Sequence, residues 1–300
     1  MSIIEKALEK SGKSSSFSEP LKVSGSIAME QAERANKVKK VQESSARPVK
    51  RETEEIDFTF DFEMLEKKGM LVPDSAHSQM AEEYRLIKRP LLENAFFEGD
   101  NGIDNANLLL VTSSLPGEGK TFTAINLALS IATERDKTVL LIDADVAKPS
   151  VSKVLGIQSD IGLIDLLVDP SIGFSDAMLK TDIPNLSIIP AGKKHRHSTE
   201  VLASNDMKQF TRELSERYSD RIIIFDSPPI LAATQGAVLA KLVGQVVMVV
   251  ESETTPQYVV KDALAKVVES CDVVGCVLNK MKKGIGLQYY GYSYYGYYGR

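Results

Sequence analysis

The 300-residue chain has no tryptophan, only two cysteines and only three histidines. Cys271 and Cys276 have no neighbouring cysteine or histidine at ligand spacing, so neither a metal site nor a disulfide framework is indicated. Cys276 sits in the apolar run VVGCVL and reads as a small buried hydrophobe. No apolar run approaches the roughly 18 residues needed to span a bilayer. The opening MSIIEKALEK lacks the basic start and apolar stretch of a secretory signal. An excess of positive charge is also missing: the formal net charge is −5, which gives no electrostatic reason to expect nucleic-acid binding. These absences point to the reducing cytosol. With 43% apolar and 26% charged residues, the chain has the balance of a globular protein.

Composition divides the chain into three stretches: 1–75, 76–283 and 284–300. Ser11 to Glu55 is rich in Ser, Lys, Glu and Arg and cannot bury enough surface to offset its ordering entropy, so most of it reads as a flexible linker. Ahead of it, Ile3, Ile4, Ala7 and Leu8 share one face of a short helix, which is either a docking element or a frayed terminus. A second helix is expected from about Ser78, with Met80, Tyr84, Ile87 and Leu91 at helical spacing and Pro90 kinking or dividing it. Six strands are expected at Leu108–Ser113, Thr138–Asp143, Leu186–Pro190, Arg221–Asp226, Gln245–Glu251 and Val273–Asn279. Their near-continuous Val, Ile and Leu marks a parallel sheet covered on both faces. After Lys283 the pattern collapses into GIGLQYYGYSYYGYYGR, a Tyr/Gly tail with no means of forming a core.

The strongest motif is SLPGEGKT, Ser114 to Thr121, which follows a strand and opens a helix. Its glycines let backbone N–H groups converge on phosphate oxygens beside the positive end of the helix. In such a P-loop Lys120 reaches the β- and γ-phosphates and the Thr121 hydroxyl meets Mg²⁺. Ser114 replaces the usual first glycine. Asp143 and Asp145 end the next strand, 23 and 25 residues past Lys120, and Asp226 ends a later one. A single strand-end Asp is usually a cap or turn residue. Three of them around a P-loop point to Mg²⁺ ligands and a proton acceptor, because ligands bind beyond the carboxyl ends of such strands. The expected fold is α/β: a P-loop NTPase with a mostly parallel sheet and helices on both faces, a flexible N-terminal extension and a disordered tyrosine-rich tail.

SLPGEGKT, LLIDADVAKPS and IIIFDSPP together resemble the Walker A, A′ and B motifs of the bacterial tyrosine kinases linked to capsule and exopolysaccharide export. MSIIEKALEK and DADVAKPS resemble the stand-alone autokinases of exosortase-linked systems. The resemblance implies ATP and Mg²⁺. It implies nucleotide contacts at Ser114, Pro116, Gly117, Glu118, Gly119, Lys120, Thr121 and Phe122, metal held by Thr121, Asp143 and, through water, Asp226, and catalysis by Lys120 with Asp143 and Asp145. Asn279 lies where relatives contact the base, or is a turn residue. Glu82, Arg85 and Lys88 match an acid-x-x-Arg-x-x-Arg motif for ring-like self-association, with Lys88 keeping the charge but not the guanidinium fork. Where an Arg often follows the second A′ Asp, this chain has Ala147 and then Lys148. The resemblance further implies a separate membrane activator of the chain-length-regulator type, a tyrosine phosphatase, and membrane association through that partner.

Tyr289, Tyr290, Tyr292, Tyr294, Tyr295, Tyr297 and Tyr298 are seven of the ten tyrosines, and beside an ATP site they read as phosphate acceptors. From Gly284 the tail reaches about 55 Å when extended, enough to enter a neighbouring copy's site. The rival readings are a partition- or division-type switch ATPase, disfavoured because Leu115 stands where its signature Lys belongs, an iron–sulfur carrier ATPase, whose cysteines are lacking, and a nucleotide-gated scaffold without kinase activity.

Overall fold

All six expected apolar runs form strands in the computed structural model, which describes residues 56–282 apart from 76, 98, 100, 101, 219 and 272. The expected N-terminal helix, the linker and the seven tail tyrosines lie outside the described residues. The strands are β1 Leu108–Ser113, β2 Thr138–Asp143, β4 Leu186–Ile189, β5 Arg221–Asp226, β6 Gln245–Glu251 and β7 Val273–Asn279; a two-residue β3, Leu179–Lys180, was not foreseen. They form one sheet in the order β3-β4-β2-β5-β1-β6-β7, parallel except where β3 pairs antiparallel with β4. Alternate residues of each strand feed two cores. Leu109, Val111, Leu141, Ile224 and Val249 face one, and Leu108, Leu110, Ile142, Phe225 and Met248 face the other.

Helices cover both faces. Residues of α1 (Phe62–Lys67), α2 (Gln79–Ala95) and α3 (Lys120–Ile131) join the first core. After β2 come the short α4 (Val151–Leu155), α5 (Leu163–Val168) and α6 (Phe174–Ala177), then α7 (Ser198–Leu202) and α8 (Asn205–Arg217). The last two are α9 (Thr234–Ala240) and α10 (Gln257–Val268). Residues of α5, α7, α8, α9 and α10 fill the second core. The helix α3 that opens from the phosphate motif is buried from Thr123 to Ile131, so its N-terminus is held rigidly at the sheet's end.

Four expectations change. The proline does not divide α2: Pro90 removes only the bond to the carbonyl of Leu86, and both residues are exposed, so water can meet that carbonyl. The packed unit begins well before residue 76. Phe58 and Phe60 N–H groups bond to Lys180 O and Asp182 Oδ1, and Phe60, Leu65, Met70 and Leu71 are buried in the first core. Cys276 is exposed, because β7 is the last strand of the sheet and, among the described residues, no helix covers Gly275, Cys276 and Leu278; Cys271 is the buried cysteine. Lys88 also departs from its expected place. It is buried, with Nζ 2.7 Å from Glu134 Oε1, 2.6 Å from Ser130 O and 3.2 Å from Thr133 Oγ1, so it clamps α2 to the end of α3 within its own chain. Glu82 and Arg85 pair with each other on the outer side of α2.

Burial decides the weight of these two pairs. An exposed i,i+3 pair is worth about 0.3–0.5 kcal/mol. The Lys88 ammonium instead satisfies the Ser130 carbonyl through a charged hydrogen bond worth about 1.5–3 kcal/mol, and its buried stem adds packing, while Glu134 at 41% exposure stays solvated when Lys88 is removed. Lys88→Ala is therefore expected to lower stability by about 2–4 kcal/mol in urea unfolding, while Glu82→Ala changes it by less than about 0.5 kcal/mol. Equal effects would show that Lys88 does not act as the clamp.

Candidate active site

The strand–turn–helix that holds SLPGEGKT needs two residues in the left-handed region, and Gly117 (φ 91°) and Gly119 (φ 100°) supply them. Nothing lies within 4 Å of a Cβ built on Gly117, so the loop is open on that side. Lys120 begins α3, with its ammonium 2.8 Å from Asp145 Oδ2 and 3.6 Å from Asp226 Oδ1. The Thr121 hydroxyl donates to Asp226 Oδ2 at 2.7 Å. Asp143 and Asp226 sit side by side in the β2–β5 register and are fully buried. The structure thus gathers Lys120, Thr121, Asp143, Asp145 and Asp226 at the carboxyl end of the sheet, as the motif spacing requires.

The three acids differ in their surroundings. Asp143 Oδ2 accepts the N–H groups of Ser150 and Val151, each at 3.0 Å, and Oδ1 accepts that of Asp145 at 3.2 Å, so this carboxyl organises the turn that follows β2. Burial, reinforced by the charge of Asp226, raises its pKa to about 7. Burial likewise raises Asp226 to about 6 against the opposing pull of Lys120 and Thr121. For Lys120 burial acts downward, but Asp226 and Asp145 outweigh it and the ammonium is held above its ordinary value. Asp145 is turned to Lys120 and to the N–H of Lys148 at 3.2 Å.

Other expected contacts take different parts. The Ser114 side chain points inward, 4.0 Å from Met248 Sδ. Phe122 packs its ring on the first core, which leaves its backbone facing the loop. Pro116 is exposed at the loop's crest. Glu118 is buried, and its carboxylate turns back to the Leu115 N–H (2.6 Å), the Thr255 hydroxyl and the Glu251 N–H (3.5 Å); it braces the loop and does not face a phosphate. Asn279 Nδ2 donates to Glu118 O at 2.8 Å and lies against Gly119, where a Cβ would collide with it. Sequence reasoning missed Lys280, whose ammonium meets Gly117 O at 2.8 Å and Glu251 Oε2 at 2.9 Å. Its signal was available: β6 and β7 both end at this edge, so polar residues closing them face the loop.

The donor set fits a magnesium ion. Asp226 Oδ1 is buried with no hydrogen-bond partner beside the Thr121 hydroxyl, an orphaned acceptor of the kind a cation or its water satisfies. Among the described residues no group of three or more His, Cys, Asp and Glu forms a ready-made cage. Mg²⁺ does not need one, since one or two carboxylates plus substrate phosphates are its usual ligands.

Because both raised carboxyls bind protons more tightly folded than unfolded, their contribution to stability is full below about pH 4 and is lost as pH rises through about 6 to 7. Asp226→Asn removes one of them. In nucleotide-free protein it is expected to raise stability at pH 8 by on the order of 1–3 kcal/mol and to flatten the melting-temperature profile between pH 5 and 8. A variant less stable than the wild type at pH 8 would contradict this electrostatic picture.

Comparison with known proteins agrees with this geometry. A family model described as an AAA domain matches residues 109–274. Tyrosine-protein kinase YwqD of Bacillus subtilis is 31% identical over 232 residues, covering 77% of this chain and 90% of YwqD. CapB of Staphylococcus aureus, which also carries a tyrosine-protein kinase name, is 30% identical over 238 residues, or 78% of this chain and 99% of CapB. The crystal structure of the chimerical protein CapA2B2 superposes with a TM-score of 0.61 at 26% identity, covering 76% of this chain and 95% of that one.

Proposed function

The chain belongs to the bacterial tyrosine-protein kinases, and from that premise we propose that it uses Mg-ATP to phosphorylate the tyrosine cluster at its own C-terminus, in trans between copies. The observation that carries this reading is the Lys120–Thr121–Asp226 constellation of a P-loop whose brace, Asn279 and Lys280, is the root of the chain segment bearing seven tyrosines. The chain thus leaves β7 at the end of the sheet that holds the phosphate loop, and Tyr289 follows Lys280 by nine positions in sequence.

In this reading Lys120 and the loop N–H groups hold the β- and γ-phosphates and offset their charge. Thr121 and Asp143, with Asp226 through water, would hold Mg²⁺, which would supply further charge neutralisation and align the phosphates. The bond between the γ-phosphorus and the β–γ bridging oxygen breaks while the tyrosine oxygen bonds to that phosphorus, and ADP leaves with the electron pair. The phenolic proton passes to Asp143 or Asp145. Glu118 holds the loop in shape from behind, so its carboxylate keeps its distance from the anionic substrate.

Among the described residues no helix is long and apolar enough to cross a membrane. We infer a separate membrane protein of the chain-length-regulator type as activator, in a polysaccharide export system, with a phosphatase closing the cycle. A solved relative named as a CapA2B2 chimera supports pairing with an A-type partner. Self-association is inferred through the exposed Glu82 and the half-buried Arg85, without Lys88, which is held inside its own chain. Phosphates of about −1.5 to −2 charges each on neighbouring tails would repel and favour release of such an assembly.

Phosphopeptide mapping after incubation with Mg-ATP tests the core of this reading. Phosphotyrosine among Tyr289–Tyr298 is expected in the wild type, with at least a hundredfold less in Lys120→Met. ATP hydrolysis with a bare tail, even with the membrane partner added, would replace it with the switch-ATPase reading.

A further inference from the structure

Lys193-Lys194-His195-Arg196-His197 is a basic stretch on the surface of an acidic protein, and all five residues are exposed. Among the described residues no carboxylate pairs with Lys193, Lys194 or Arg196. The stretch is anchored at its base. Pro190 O and Ala191 O accept the N–H groups of Leu163 and Ile164, and the N–H of Lys193 donates to Asp165 Oδ2 at 3.0 Å. Gly192 turns the chain at φ 84°, where a Cβ would run into Asp165. At the far end the Ser198 hydroxyl donates to His195 O at 2.6 Å as α7 begins. The backbone is thus fixed while the cationic side chains face outward.

Its position is set by register. Ile142 of β2 pairs with Ile189 of β4, so the chain leaving β4 starts level with Asp143. At about 4.8 Å between strands, the end of β4 lies roughly 15 Å across the sheet from the end of β1, where the phosphate loop starts. An extended peptide spans that gap with about four or five residues. Because the basic residues begin four positions past the end of β4, this is the scale of the reach between strand ends and not a side-chain distance.

We propose that this basic stretch binds phosphotyrosine in the tail of a second copy and so makes tail phosphorylation processive; the inference rests on the autokinase reading. The unmodified tail from Gly284 to Tyr298 carries no acidic residue, so charge complementarity arises only once a first phosphate is in place. That phosphate can form charge-assisted bonds with lysine and arginine. Held there, it keeps the tail on the enzyme and presents tyrosines a few residues away to the ATP site. The acceptors fit this reach: Tyr290 to Tyr294, Tyr290 to Tyr295 and Tyr294 to Tyr298 are separated by four or five positions. Each transfer creates the next handle.

Two measurements on the full-length chain test this. In the first, a 284–300 peptide phosphorylated on Tyr292 and Tyr294 is compared with its unphosphorylated form. The wild type is expected to favour the phosphopeptide at least tenfold, Lys193→Ala/Lys194→Ala/Arg196→Ala to lose that preference, and Lys193→Arg/Lys194→Arg to keep it. In the second, intact-mass analysis follows autophosphorylation at low conversion. The wild type should show unmodified and multiply phosphorylated chains with few intermediates. The triple alanine variant should add the first phosphate at a similar rate, then accumulate singly phosphorylated chains. Equal phosphopeptide binding, or the same phosphoform distribution, in wild type and triple variant overturns the proposal while leaving the autokinase reading intact. Absence of any tail phosphate in the wild type overturns both. Loss of binding to phosphatidylglycerol vesicles in the triple variant, without a phosphopeptide preference in the wild type, would reassign the stretch to a membrane surface.

Discussion

Three carboxylates and one ammonium share the buried end of the central sheet, and this imbalance governs the site. Asp143, Asp145 and Asp226 outnumber Lys120, and burial denies them the screening that water gives surface charges. The fold answers in the ways the chemistry allows. Three backbone N–H groups bond to Asp143, Lys120 and Thr121 lean on Asp145 and Asp226, and the pKa values of Asp143 and Asp226 rise toward neutrality. The proposed Mg-nucleotide would meet the remaining need, because a divalent cation would bring positive charge to the acids while its phosphates would pair with Lys120.

The surrounding architecture keeps that cluster from relaxing. Helix α3 is buried almost from end to end, so the phosphate loop cannot slide along its axis. Glu118 ties the loop to the end of β6, and Asn279 and Lys280 tie it to the end of β7. Lys88 pins the opposite end of α3 to α2. Glu118 and Lys88 are buried and would be costly to bury alone, so their contacts are held firmly. Together they convert a glycine-rich turn, which by itself is conformationally permissive, into a fixed cradle.

Placement of charge on the outside follows a different rule. The acids converge because parallel strands all deliver their carboxyl ends to one edge, and that edge also receives the basic stretch after β4 and the root of the tyrosine tail after β7. A surface of both signs is thereby built around one phosphate site, with the negative cluster buried and the positive one exposed.

Periodicity in the sequence determined the sheet: six runs of Val, Ile and Leu became six strands within a residue of their expected limits, because strands covered on both faces admit little else. Motif spacing likewise determined Lys120, Thr121, Asp143, Asp145 and Asp226, since strand ends and a helix start fix their side chains with little help from the rest of the fold. The tertiary structure decided everything that depends on what lies across a gap. Cys276 reads as buried until β7 proves to be the edge strand, and Lys88 reads as a surface cation until the end of α3 is seen beneath it. Glu118 looks like a phosphate-loop contact, yet Thr255 and Glu251, more than 130 positions away, turn its carboxylate inward. Residues 57–71 show no helical or strand period strong enough to mark them, but their aromatic and aliphatic side chains find an uncovered patch of the first core. Local patterns carry elements and their ends; long-range packing alone sets which face is wet and which partner a polar side chain meets.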